Sequence, residues 1–278
     1  MTTRSARRTR RRLQAGAAGA AVLLALSACS SSGSGSSAER GDSAGKAGSA
    51  AEGPAGEVTV FAAASLKESF TALGEEFESR HPGTKVTFSF GGSDSLAAGI
   101  TGGAPADVFA AASPTTMKIV ADAGGTAGTP VTFARNELRM ATLPGNPRKL
   151  SSLKDLTRPG LKVVLCDEAV PCGAAARKAL DAGGVDLTPV SYEQDVKAAL
   201  NKVVLKEADA ALVYRTDVRA AGDTVTGVAF PESAEAVGDY PIALLEDAGN
   251  AEGGKAFIAL VRSAEGRKVL GGAGFLKP

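Results

Sequence analysis

Few residues of this 278-residue chain have both the type and the surroundings to do chemistry. The one histidine, His81, stands in the turn sequence His81-Pro82-Gly83, and no Gly-x-Ser-x-Gly elbow surrounds either candidate serine, Ser65 or Ser93, so a Ser-His-Asp relay has nothing to build on. Neither a Gly-x-x-x-x-Gly-Lys-[Ser/Thr] loop nor a Gly-x-Gly-x-x-Gly fingerprint after a strand is present to cradle a nucleotide phosphate. The expectation is a protein that is not an enzyme. What remains is a set of polar positions where a strand or loop opens into a helix. Ser65 lies in Ser65-Leu66-Lys67-Glu68, a capping-box pattern after an apolar strand. Ser93 follows Gly91-Gly92, Val170-Pro171-Cys172-Gly173 precedes an alanine-rich helix, Gln194-Asp195-Val196 begins another, and Tyr214 ends a strand before Thr216-Asp217. First-turn N–H groups have no intrahelical partner and sit at the positive end of the helix dipole. Several such termini converging on one cleft would bind an anion without any lysine or arginine. Taken singly, a serine at a helix start is more often only a cap.

The elements that would position these residues follow an α/β rhythm from Glu57 onward. Val58 to Ala63 is a strand; after it Leu66, Phe70, Leu73 and Phe77 fall on one helical face, and His81-Pro82-Gly83 stops that helix. Thr84 to Phe90 alternates as a strand, a helix runs from about Asp94 to Thr101, and Asp107 to Ala111 is a third strand. Further strands are expected at Glu137 to Thr142, Leu161 to Cys166, Pro189 to Tyr192 and Ala210 to Tyr214. Further helices are expected at Ala174 to Asp181, Asp195 to Val204, Ala251 to Val261 and Ala264 to Leu270. No internal repeat of fixed period occurs, which removes solenoids and propellers. The ordered length exceeds what one small α/β sheet requires, which favours two lobes.

The N-terminus is a targeting segment: six arginines between Arg4 and Arg12 precede the apolar run Leu13 to Leu26. The run closes on Leu26-Ser27-Ala28-Cys29, which resembles the lipobox of bacterial lipoproteins and would make Cys29 the lipid-bearing first residue of the mature chain. A plain secretory peptide, or the twin-arginine route, is the alternative. From residue 29 to residue 56 the chain is almost wholly Ser, Gly and Ala with a few charges and reads as a disordered tether, since it has no large apolar residue to bury. Loss of residues 1–28 takes six arginines from a balance of 31 basic and 30 acidic residues, so the mature protein carries about −5 instead of +1. A mildly acidic surface without a basic run argues against nucleic acid as partner. An anion must then be held by local donors. With Cys29 lipidated, Cys166 and Cys172 remain as an even pair in an oxidising compartment; a disulfide is the natural use, two buried thiols the alternative.

From Val58 to the C-terminus the chain resembles the periplasmic molybdate-binding proteins of bacterial ABC importers. The landmarks Val58-Thr59-Val60-Phe61-Ala62-Ala63-Ala64-Ser65-Leu66, Gly103-Ala104-Pro105-Ala106-Asp107-Val108-Phe109, Val170-Pro171-Cys172-Gly173, Asp195-Val196 and Leu212-Val213-Tyr214 occur in family order with family-like separations. The first two are long enough to be specific; the others gain weight from position. The resemblance implies a two-lobed periplasmic-binding-protein fold of type II, with mixed, largely parallel sheets flanked by helices and the ligand cleft between the lobes. One lobe would comprise residues 57–133 and 235–278 and the other residues 134–234, joined by extended crossings near Val131 to Glu137 and Ala229 to Pro241. It further implies a monomer without cofactor that binds molybdate, with tungstate as the alternative, and passes it to a membrane permease driven by a cytoplasmic ATPase. The metal would enter only as its oxoanion, and lipid on Cys29 would hold the protein to the outer face of the cell membrane.

Carried over residue by residue, the resemblance gives Ser65 and Ser93 a hydroxyl and a backbone N–H each, Cys172 and Val196 a backbone N–H each, and Tyr214 its phenol. Such a cage of donors rejects anions that carry a proton. Two departures stand out. The turn Gly91-Gly92-Ser93-Asp94-Ser95 allows Ser95 to replace Ser93, and Cys172 stands where many members have alanine. Asp94, an acid beside an anion site, is expected to turn its carboxylate outward. Another oxoanion or a small organic solute is the rival ligand, because this architecture hosts many.

Overall fold

The computed structural model describes residues 54–278. The leader, Cys29 and nearly all of the proposed tether lie outside the described residues.

Two five-stranded sheets organise the molecule. The first contains β1 (Gly56–Ala63), β2 (Thr84–Gly91), β3 (Val108–Ala110), β4 (Val131–Asn136) and β10 (Gly238–Leu244) in the order β2-β1-β3-β10-β4. The second contains β5 (Leu138–Thr142), β6 (Val163–Cys166), β7 (Ser191–Glu193), β8 (Ala210–Tyr214) and β9 (Thr226–Val228) in the order β7-β6-β8-β5-β9. Both sheets are mixed by the same device. β1 pairs in parallel with β2 and β3, and β6 with β7 and β8, whereas β10 and β5 run antiparallel to their neighbours. Those two antiparallel strands flank the places where the chain passes between the sheets. One passage is Glu137 alone, between β4 and β5; the other is the stretch from β9 to β10, which includes a short 3-10 segment, Pro231–Ala236. Of the residues that the sequence assigned to crossings, Val131 to Asn136 and Gly238 to Pro241 are therefore strands of the first sheet.

The helices are α1 (Lys67–Arg80), α2 (Ser93–Thr101), α3 (Pro114–Asp122), α4 (Pro171–Ala182), α5 (Val196–Val204), α6 (Arg215–Ala221), α7 (Ala251–Arg262) and α8 (Ala264–Ala273). The expected apolar face of α1 is the buried one: Leu66, Phe70, Leu73 and Phe77 are all inaccessible to solvent or nearly so. Phe70 and Phe77 each meet Phe257 of α7 edge-on at 5.7 Å, so the C-terminal helices close the core of the first sheet. Burying such aromatic side chains stabilises by roughly 1.5–3 kcal/mol apiece. The opposite face of that sheet packs Leu96, Phe109, Met117 and Val120. A separate core, including Leu138, Met140, Leu180, Leu200 and Leu212, surrounds the second sheet.

Candidate functional site

Ser65, Ser93, Cys172, Val196 and Tyr214 line one narrow cavity, in the company of Gly92 and Asp195. The first sheet and its loops supply one wall and the second sheet the other.

On the first wall, β1 runs into a 3-10 turn, Ala64–Leu66, before α1 begins. That turn moves Ser65 one residue outside the cap position, which Leu66 occupies, so the expected capping box does not form. The hydroxyl of Ser65 instead lies 2.9 Å from the phenol of Tyr240, and Glu68 reaches across to Lys197 Nζ at 2.8 Å. Ser93 is the first residue of α2 and is buried; its Oγ accepts the N–H of Ala112 at 3.0 Å. Ser95 is exposed and donates to Asp94 Oδ2 at 3.3 Å, so the cavity takes Ser93 and not Ser95. The outward turn expected of Asp94 is only half met: Oδ1 is buried and has no hydrogen-bond partner among the described residues. Beside it, a Cβ on Gly92 would stand 2.6 Å from the carbonyl oxygen of Gln194. Glycine is required there because the two walls meet backbone to backbone.

The second wall is made of helix starts. α4 opens with Pro171 at its first position, and Gly173 and Ala174 both donate to Val170 O, leaving the intervening amide of Cys172 to the cavity. Cys172 is bonded to Cys166, the last residue of β6, with Cα atoms 5.7 Å apart. Gly173 fits beneath the same loop, where a Cβ would lie 1.9 Å from Asp167 O. In α5 the cap residue Asp195 accepts from Lys197 N at 2.8 Å and Ala198 N at 2.9 Å, which leaves the Val196 N–H as the unclaimed first-turn donor. Tyr214 ends β8, is buried, and meets Tyr240 edge-to-face at 5.9 Å. Burial pushes its phenol well above the usual tyrosine range, so it remains a proton donor.

Among the described residues no lysine or arginine lines the cavity. Lys197, just beyond it, is committed elsewhere: Glu68 of the first wall and Asp217 at 3.2 Å both face its ammonium. Burial works against the charge of Lys197, but these two carboxylates outweigh it and raise its pKa. Asp217 is fully buried and accepts the N–H of Tyr214 at 3.1 Å; burial outweighs the nearby ammonium and pushes its carboxyl up to about 6. The arrangement is thus a concave site without a lining cation, rich in N–H and O–H donors, whose one carboxylate, Asp195, is engaged by the amides of α5. It can hold a small multivalent anion by hydrogen bonds alone.

Sequence reasoning missed Tyr240, Asn136 and Thr216, which form a buried polar cluster behind Ser65. A signal for Tyr240 was available. A tyrosine opening the apolar stretch Tyr240–Leu244 must bury its hydroxyl, and a buried hydroxyl needs a partner.

Residues 58–276 match the family of bacterial extracellular solute-binding proteins. The chain is 47% identical over 234 residues to the molybdate-binding protein ModA of Mycobacterium tuberculosis, covering 82% of this chain and 90% of that protein. It is 30% identical over 230 residues to ModA of Escherichia coli, covering 79% and 89%. Among solved structures, a periplasmic molybdate-binding protein of Azotobacter vinelandii superposes with a TM-score of 0.70 at 18% identity, covering 80% of this chain and 99% of that one. At that identity the superposition speaks for the fold.

Proposed function

We infer that this chain, which belongs to the bacterial extracellular solute-binding proteins and within them to the molybdate-binding group, captures molybdate outside the cytoplasm for an ABC-type importer. The observation that carries this reading is the convergence of Ser65, Ser93, Cys172, Val196 and Tyr214 on one cavity without a cationic side chain. Their donors amount to three hydroxyls and up to four backbone N–H groups, a number suited to the four acceptor oxygens of a tetrahedral dianion. Charge-assisted hydrogen bonds of this kind contribute about 1.5–3 kcal/mol each.

Selectivity follows from two features of such a cage. Donors without acceptors leave the proton of hydrogen phosphate unpaired, at a cost of about 1–3 kcal/mol for a buried polar group. Donors spaced for the longer metal–oxygen bonds of molybdate or tungstate stand too far from the smaller sulfate. The two halves of the molecule, residues 57–133 with 235–278 and residues 134–234, act as lobes that close on the anion, and the closed form is what a permease and its ATPase would recognise. The protein works as a monomer and performs no chemistry on its ligand. Lipid on Cys29 and the tether from residue 29 to residue 56 hold it at the outer face of the membrane; Cys29→Ser should release it into the soluble fraction.

Calorimetric titration with molybdate, tungstate, sulfate and phosphate tests the ligand assignment. Tight binding of molybdate, with sulfate and phosphate weaker by orders of magnitude, is expected. Sulfate binding as tight as molybdate binding overturns it.

A further inference from the structure

The two serines of the first wall reach the cavity with different guarantees about where their protons point. Ser93 Oγ accepts from the Ala112 amide, which can only donate, so the Ser93 proton is free for the cavity. Ser65 Oγ is paired with another hydroxyl, that of Tyr240, and at 2.9 Å either oxygen could donate. A third residue narrows the choice. The carboxamide of Asn136 takes the N–H of Glu137 on Oδ1 at 3.0 Å, which fixes its orientation, because a backbone amide cannot accept. Nδ2 therefore faces inward, with one hydrogen for Thr216 Oγ1 at 2.9 Å and the other for Tyr240 OH at 3.4 Å. With its oxygen accepting from Asn136, Tyr240 has its single proton left to donate. Ser65 Oγ at 2.9 Å and the neighbouring Tyr214 phenol are its two acceptors, and with the proton on the shorter path to Ser65, Ser65 has its own left for the cavity. Asn136, Thr216, Tyr240 and Ser65 are all buried, which favours internal partners over solvent for these groups. Burial also pushes the Tyr240 phenol well above the ordinary tyrosine value, so its proton is retained.

We propose that Tyr240 and Asn136 are positioning residues that lock the Ser65 hydroxyl as a donor into the cavity, and that this lock helps the site refuse anions carrying a proton. The inference rests on the reading of Ser65 as a ligand of the oxoanion. An unlocked Ser65 could turn its lone pairs to the cavity and accept the proton of hydrogen phosphate. Locked, it offers only O–H. Tyr240 and Asn136 belong to the first sheet, whereas Thr216 belongs to α6 beside the second, so the orienting chain is anchored on both sides of the cavity.

The test is a double-mutant cycle read by calorimetry, with molybdate and inorganic phosphate at neutral pH as probes. Tyr240→Phe should weaken molybdate binding by about 5-fold, the equivalent of one ordinary hydrogen bond, and should narrow the molybdate-to-phosphate ratio by more than that, because phosphate gains an acceptor. In a Ser65→Ala background the same substitution should change neither quantity by more than about 2-fold, since Tyr240 acts through Ser65. Asn136→Ala should repeat the pattern more weakly and serves if Tyr240→Phe does not fold. A Tyr240→Phe effect that persists undiminished without Ser65, or an unchanged molybdate-to-phosphate ratio, overturns the proposal while leaving the ligand reading intact. Molybdate binding that is absent in the parent, or untouched by Ser65→Ala, overturns both.

Discussion

The two walls of the cavity present similar donors by opposite means. On the first wall the hydroxyls of Ser65 and Ser93 face the cavity, each held by a partner behind it, Tyr240 OH for one and Ala112 N–H for the other. On the second wall Cys172 and Val196 offer the orphan amides of two helix starts, held by a disulfide and by the Asp195 cap. A side-chain donor is lost with a single atom. A backbone donor survives nearly every substitution and is lost only by moving the backbone or removing the N–H itself. The first wall should therefore be sensitive to residue identity and the second, apart from the Tyr214 phenol, to backbone geometry.

The largest effect should come from the side-chain donors, the two serines of the first wall and Tyr214 of the second. Ser65→Ala and Ser93→Ala each remove one charge-assisted bond while retaining the backbone N–H, and each should weaken molybdate binding by about 10-fold to 150-fold. Tyr214→Phe should fall in the same range, because only its phenol is lost. Titration of all three against the parent checks this, and parent-like binding by both serine variants would break the comparison at its first term.

A pair of substitutions at one position then sharpens it. Val196→Ala keeps the amide and should bind molybdate within about 2-fold of the parent. Val196→Pro removes the amide at a first helical position that tolerates proline, after an Asp195 already in extended backbone, and should cost about 10-fold. Equal affinities for the two variants would show that the second wall does not bind through Val196 N–H.

Smaller still is the expected consequence of opening the Cys166–Cys172 bond. The serine double variant should lose about 2 kcal/mol of stability in the chain-entropy account of a short loop, with a loss of affinity no larger than a few-fold, because Pro171 and Gly173 still shape the start of α4. Urea unfolding with and without molybdate separates the two quantities.

The smallest effect on binding concerns Asp217, whose carboxyl is pushed up to about 6 by burial. The folded protein then holds that proton more tightly than the unfolded chain. Its contribution to stability is fully present below the ordinary carboxylate value and is lost as pH rises through about 6. Between pH 4 and pH 7 the parent should lose up to about 3 kcal/mol relative to Asp217→Asn. Urea unfolding of both proteins at the two pH values tests the sign; a difference that does not change with pH would contradict it.

These contrasts also explain which parts of the molecule were legible in the sequence. Regular apolar spacing announced α1, and apolar stretches announced β1, β2 and β8, because burial on one face leaves a periodic trace. The five site residues were visible as strand-to-helix and loop-to-helix junctions, but their assembly on one cavity came from resemblance, not from any single junction. β4 and β10 read only as extended crossings, since an edge strand such as β4, with its irregular burial, and a strand that returns antiparallel after more than a hundred residues announce no partner. The capping box at Ser65 misled because a 3-10 turn separates the serine from its helix and a distant phenol claims its hydroxyl. Asn136 left no local trace, and the apolar stretch at Tyr240 announced only a buried hydroxyl; the role of the two exists only where Ser65 and Thr216 are brought beside them.

A crystal structure of the protein grown with molybdate, with anomalous data collected on either side of the molybdenum absorption edge, tests the central claim most directly. The account predicts one strong molybdenum peak between the walls, with its oxygens within hydrogen-bond distance of Ser65 Oγ, Ser93 Oγ, the amides of Cys172 and Val196, and the phenol of Tyr214. A peak outside that cavity, or a molybdate there whose nearest partners are charged side chains, would contradict it.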